Sequence, residues 1–176
     1  TDEDVRAAAL QYVRKLSGYR RPSRANEAVF DTAVDQIAAA TQRLLDGLVD
    51  IYMPDFKFWE RKTSIRLCRA KDYAESARAA IAEMHRQVGP LKFGADGVAR
   101  RGVLVRHLVM PADISGSRAA MRWISEHLPV DTYVNIMIQY RPAYRAHLYS
   151  EIDTYVSRED YRQVVEEGRR CGLQNL

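Results

Sequence analysis

From Val49 onward the sequence alternates apolar, β-rich runs with amphipathic stretches of helical period, and this alternation restricts the chain to few architectures. VDIYMPDFKF reads as a short strand rich in β-branched and aromatic residues. ERKTSIRLCRAK reads as a basic connection. Asp72 with Glu75 resembles a capping box opening a helix through Ala77, Ile81, Met84 and Val88, which Gly89 and Pro90 close. LKFGADGVARRGVLVRHLVM predicts a strand, a Gly-Ala-Asp-Gly turn and a longer second strand. SRAAMRWISEHL predicts a helix ended by Pro129, TYVNIMIQY a further strand, and Ser157 to Gly172 a serine-capped helix. Strands separated by helices in this order argue for parallel strands with crossover helices, an α/β arrangement.

The first 48 residues follow another rule. Val5, Ala9, Tyr12, Val13 and Leu16 form a stripe at helical spacing, preceded by Asp2, Glu3 and Asp4 and stopped by Gly18. After YRRPSRANE, where Pro22 breaks the chain and Ser23 is a candidate N-cap, a second helix is expected to bury Phe30, Ala33, Ile37, Leu44 and Leu48. The result is a helical hairpin with too little core to stand alone. The change from helical to strand period falls inside LLDGLVDIYMPDFKFW, residues 44–59.

Bulk properties exclude several classes. No apolar run approaches the roughly 18–20 residues needed to span a bilayer, so no membrane partner is expected. No signal peptide is visible, although the absent initiator Met leaves the true N-terminus open. The net charge of +4 is too diffuse to point to nucleic acid, and Asp2, Glu3, Asp4 and Glu27 stand against the basic loop at Arg20, Arg21 and Arg24 as an anion or nucleic-acid site. Cys68 and Cys171 lie far apart, with no CxxC and no Cys/His cluster, which reads as two free thiols of a cytoplasmic protein and no metal site.

Parallel strands covered on both faces should be apolar throughout, except at their C-terminal ends, where α/β ligand sites lie. Three strands here end in polar groups. Asp55 and Lys57 alternate on one face of the first. Arg106 and His107 close the long central strand, and Asn135 and Gln139 lie on the last, ahead of Arg141. Asp55 and Lys57 form either an ordinary ion pair or a pair that holds the amino and carboxylate groups of an amino-acid-like ligand. His107 alone reads as a satisfied histidine; the three strand ends together read as a ligand-binding rim.

VDIYMPDFKFW, ARAAIAEMHRQVG, GVLVRHLVMP, TYVNIMIQYRP and SREDYRQVVEEGRRCGL together resemble the C-terminal half of a radical SAM protein, in the branch related to pyruvate formate-lyase activating enzymes, over residues 44–176. VRAAALQYVRKLSGYRRPSRANEAVFDTAVDQIAAATQRLLDGL, within residues 1–48, is similar to the DUF2277 family, although the Cys-Arg-Asn-Ile stretch with which members usually open is lacking. The two resemblances imply a fusion: a hairpin over 1–48 and half of a radical-SAM-type β/α barrel over 49–176.

The radical SAM resemblance implies S-adenosylmethionine as cofactor, with Asp55 and Lys57 matching the family's Asp-x-Lys and with His107 and Gln139 on later strands that line the same site. The CxxxCxxC motif that holds the family's iron–sulfur cluster is missing, so radical catalysis by this chain alone is not expected, and no catalytic residue is assigned. Three readings compete: a catalytically silent fragment, an S-adenosylmethionine-binding or accessory module whose partner supplies the cluster half, and a basic anion or nucleic-acid binder. Half a barrel also leaves an unpaired strand edge, so either the hairpin covers one side or two chains close a barrel as a homodimer.

Overall fold

The computed structural model describes residues 2–18, 22–45 and 47–176, with side chains for 5–18, 22–40 and 47–176. The chain divides into two compact units, 1–49 and 50–176. In the first, helices α1 (Asp2–Ser17) and α2 (Glu27–Leu45) pack through Ala9, Val13, Val34 and Ala38, with Val5, Leu10, Phe30, Ala33 and Ile37 half-buried around them. Gly18, in left-handed backbone at φ +72°, ends α1, its amide donating to the Arg14 carbonyl. The expected stripe is therefore buried only at its small residues. Tyr12 and Leu16 stay exposed, as does Leu48, which the helical spacing predicts to be buried. The side chain of Leu44, and Arg20 and Arg21, lie outside the described residues.

The second unit is a mixed α/β structure around a mainly parallel sheet. Strands β1 (Ile51–Tyr52) and β2 (Asp55–Phe56) lie in one line along the same edge of the long strand β4 (Ala99–Leu108), interrupted at Met53-Pro54, with Ile51 opposite Gly102 and Asp55 opposite Arg106. β5 (Tyr133–Met137) runs parallel to the other edge of β4, with Arg106 opposite Asn135. Among the described residues only β3 (Lys92–Phe93) is antiparallel, folded back on the start of β4 through the Gly-Ala-Asp-Gly turn. Between the strands run α3 (Arg61–Cys68), α4 (Tyr73–Val88) and α5 (Ser117–His127), and α6 (Arg158–Arg170) follows β5.

Because side chains alternate along a strand, each strand divides its residues between two faces. Phe56, Val103, Val105, Val109, Val134 and Ile136 join Ile81 and Val88 of α4, Met121, Trp123 and Ile124 of α5, and Val164 of α6 in one core. The opposite face receives Asp55, Lys57, Leu104, Arg106, Leu108 and Asn135. A smaller apolar cluster of Phe58, Met110, Ala146 and Ile152 lies beyond the C-terminal ends of β2 and β4.

Two local expectations are corrected. ERKTSIRLCRAK, expected as a basic connection, contains α3, whose buried Ser64 hydroxyl lies 2.9 Å from the carbonyl oxygens of both Arg61 and Ala70. Asp72 makes no side-chain cap to α4; its carboxylate instead accepts from Arg61 at 3.3 Å, joining α3 to the start of α4. Ser157 does cap α6, in a reciprocal capping box with Asp160.

One helix residue finishes the sheet edge. The amide of Lys57 and the carbonyl of Asp55 point away from β4, because Pro54 C=O and the intervening residues supply the ladder bonds on that side. The Tyr73 hydroxyl satisfies both, accepting from Lys57 N–H at 2.8 Å and donating to Asp55 C=O at 2.9 Å. Tyr73 thus occupies the place a neighbouring strand would take and blunts β2 as a template for pairing. Tyr73→Phe should cost about 1–3 kcal/mol by leaving two backbone groups without their partner, and should raise self-association in light scattering. A variant with unchanged urea midpoint and unchanged mass would remove this role.

Candidate functional site

The face of the sheet opposite the helices carries a charged row at the strand ends. Asp55 lies between two cations. Its Oδ2 is 3.0 Å from Lys57 Nζ, and its Oδ1 accepts from Arg106 Nε at 2.8 Å and Nη2 at 2.6 Å. The sheet builds this triad directly. Lys57 stands two residues beyond Asp55 on the same face, and Arg106 is the register partner of Asp55 on the neighbouring strand. Asn135, the partner of Arg106 on its other side, extends the row onto β5.

Burial by itself would raise the Asp55 carboxyl pKa, but hydrogen bonds from Lys57 and Arg106, with their charges, hold it below the usual carboxylate value. The carboxylate is therefore ionised at neutral pH and the triad carries one positive charge in excess. Its side chains remain between 28% and 45% exposed, so solvent screening limits each pair to about 1 kcal/mol of stability or less. Stability alone gives a weak reason for three charges on this face.

Beside Lys57 opens a pocket of about 310 Å³ at the C-terminal ends of β2, β4 and β5. Its apolar walls include Phe58, Leu108, Met110 and Ile152, and Tyr140, Tyr144 and Tyr149 stand around it with Lys57, Arg141 and Arg145. The segment after β5 is tied down over it: Tyr140 Oη donates to the Ile152 carbonyl at 2.8 Å, and Arg66 of α3 pairs with Glu151 while lying over the Tyr149 ring. This position, outside the carboxyl ends of parallel strands, is where α/β folds bind ligands.

The structure brings Asp55 and Lys57 together and adds Arg106, but it does not bring His107 to them. His107 is on the helix-covered face, fully buried, with its ring edge-on to Phe56. Its Nε2 is 2.7 Å from Ser117 Oγ, which is 2.8 Å from Ser115 Oγ. Nδ1, apart from a weak interaction with the Phe56 backbone, has no well-formed hydrogen-bond partner. Gln139 is exposed beyond the end of β5. Sequence reasoning missed Tyr73, Cys68 and Arg145 at this end of the sheet. Only the fold back of α3 and of the 140–152 segment places them there, and no local pattern announces it. Among the described residues no three His, Cys, Asp or Glu side chains converge as a metal site, and no helix is long and apolar enough to cross a membrane.

Comparison with known proteins adds two matches. Residues 1–62 match the model of a family described as an uncharacterized conserved protein, DUF2277. That match runs past the change of pattern at residues 44–59 and reaches the start of α3. An uncharacterized protein of the archaeon Methanocaldococcus jannaschii is 30% identical over 131 residues, 74% of this chain and 34% of that protein, so the chain spans about a third of the curated relative's length. Together the two matches are longer than the chain and therefore overlap. No solved structure matches.

Proposed function

We propose that residues 49–176 are a half barrel of the radical SAM type, fused to a DUF2277-like hairpin, that binds S-adenosylmethionine on the Asp55–Lys57–Arg106 face without performing radical chemistry alone. The observation that carries this reading is the triad itself, in which an ionised carboxylate and two cations stand together at the ends of adjacent parallel strands. A free amino acid group is a zwitterion, and this row offers one anion for its ammonium and two cations for its carboxylate. The sequential order β2, β4, β5, with helices on one face, is the arrangement half a β/α barrel would have.

The donor set fits the ligand but not the cluster. Two cysteines, Cys68 at the end of α3 and Cys171 after α6, cannot supply the thiolates of a 4Fe–4S cluster, so no reaction step is assigned to this chain. A partner chain bearing the cluster half would have to provide the electron. Self-association is the other way to complete the barrel. With Tyr73 closing β2, a second copy would pair along β1.

Titration with S-adenosylmethionine, with Asp55→Ala and light scattering alongside, tests the proposal. Saturable binding is expected, weakened at least roughly tenfold in Asp55→Ala, the worth of one charge-assisted hydrogen bond. No binding at millimolar ligand would sink it. That outcome would favour a catalytically silent fold, in which Asp55 serves only the ion pairs it already makes with Lys57 and Arg106.

A further inference from the structure

The pocket at the strand ends differs in chemistry from the triad beside it. Among the described residues, its lining holds three cations, Lys57, Arg141 and Arg145, and no carboxylate. Lys57 is engaged by Asp55, but Arg141 and Arg145 have no carboxylate partner among the described residues, and both are exposed. The nearby acid Glu151 is already taken by Arg66. The mouth is therefore cationic, while the floor, with Phe58, Met110, Ala146 and Ile152 buried, is apolar.

The rim adds a flat surface. Tyr144 holds left-handed backbone at φ +54° and leaves its side chain 87% exposed, with the Arg145 guanidinium 5.4 Å from its ring centroid. An aromatic ring placed so wastes apolar surface in the free protein, but offers a stacking face to a planar group entering the pocket. At about 310 Å³ the space is at the lower end of small-molecule sites.

We infer that this pocket is a second binding site, sharing only Lys57 with the triad, for a planar aromatic ring bearing an anionic group. The ring enters between the tyrosines over the apolar floor, and the anion meets Arg141 and Arg145 at the mouth. This site goes beyond the amino-acid-binding reading and does not depend on it.

Cys68, an exposed thiol in the pocket lining, gives a local readout once Cys171 is replaced by Ser. Indole-3-acetate is titrated against its neutral counterpart indole-3-ethanol, and AMP against adenosine, by calorimetry and by protection of Cys68 from N-ethylmaleimide. The anions should bind and slow labelling, with each neutral partner roughly tenfold weaker. Preference for the carboxylate or the phosphate arm identifies the anion. Arg141→Ala/Arg145→Ala, at exposed positions, should erase the preference for charge, and Ala143→Trp at the mouth should block both ligands. Asp55→Asn, which releases the pocket-lining Lys57 from its carboxylate, should retain or tighten aryl-anion binding. Equal affinity for anion and neutral partner, binding that leaves Cys68 labelling unaltered, or no binding at millimolar ligand would each overturn the proposal. Loss of aryl-anion binding in Asp55→Asn would overturn the proposal, because it would make the Asp55 carboxylate part of this site.

Discussion

Gly102→Ala should destabilise the 50–176 unit by about 3 kcal/mol or more, a large part of the 5–15 kcal/mol typical of a domain. Gly102 has φ +126°, outside the region an L side chain adopts without strain. A Cβ there would sit 2.4 Å from Leu91 Cα and from Pro90 O, and 2.6 Å from Leu91 N. All three are backbone atoms, so no rotamer change relieves the contact. Shifting the backbone would strain two pairings of β4 at once, the Gly102 amide to Asp50 C=O and the Val103 amide to Gly89 C=O. Backbone strain of about 1–3 kcal/mol and overpacking of a similar size add here. Gly97→Ala is the control. It shares a positive φ, +75°, but a Cβ there meets nothing within 4 Å, so it should cost only about 1 kcal/mol. Both tryptophans, Trp59 and Trp123, lie in the 50–176 unit, so their fluorescence during urea unfolding reports on that unit alone. If Gly102→Ala unfolds at the same urea concentration as Gly97→Ala, the steric account fails.

Gly102 also shows what the sequence reveals and what it conceals. The alternation after Val49 predicts strand, helix and parallel pairing, because periodicity reports which face each element buries. It carries no sign that Gly102 lies where two backbones meet, since that depends on how the β3 hairpin returns along β4. The same limit applies to the site. Asp55 and Lys57 are legible as a shared face from their spacing alone. Arg106 and His107 are not separable by pattern, because Leu104 and Leu108 make one face of β4 as apolar as Val103 and Val105 make the other. Register decides that Arg106 meets Asp55 and that His107 turns inward. The sequence of α3 reads as a connection because its charged residues dilute the apolar period, and the helix is held through Ser64 and Arg69 rather than by a broad apolar stripe. In the hairpin, spacing located the helices but not the depth of burial, since small Ala9 and Ala38 are buried while Leu16 and Leu48 are left exposed.

The inward turn of His107 predicts an acid-sensitive core. Burial favours the neutral imidazole and pushes its pKa down to about 4 from 6.5, against smaller opposing pulls from the Phe56 backbone and Asp113. The folded state thus takes up the proton only near pH 4, whereas the unfolded chain takes it up below 6.5. Between these values the unfolded state binds more protons, so stability is complete above 6.5 and falls as the pH drops toward 4. The full shift corresponds to about 3 kcal/mol, and most of that loss should be present by pH 4.5. Carboxylates with lowered pKa, Asp55, Glu83 and Glu167, have the opposite kind of shift and a different window. Their stabilisation is intact above their unfolded values of 3.8–4.5 and is lost only below them. The range from 6.5 to 4.5 therefore belongs to histidine. His85, also lowered by burial, adds a contribution of the same sign. Urea midpoints read by tryptophan fluorescence at pH 7, 5.5 and 4.5 should decline steeply in the unmodified protein and much less in His107→Gln. The variant also loses packing against Phe56 and the contact with Ser117, so its stability should be lower at pH 7, but the slope and not the level carries the test. A slope unchanged by the substitution would place the acid sensitivity elsewhere. A flat profile in the unmodified protein would mean that the buried Ser117–Ser115 network accommodates an imidazolium after all.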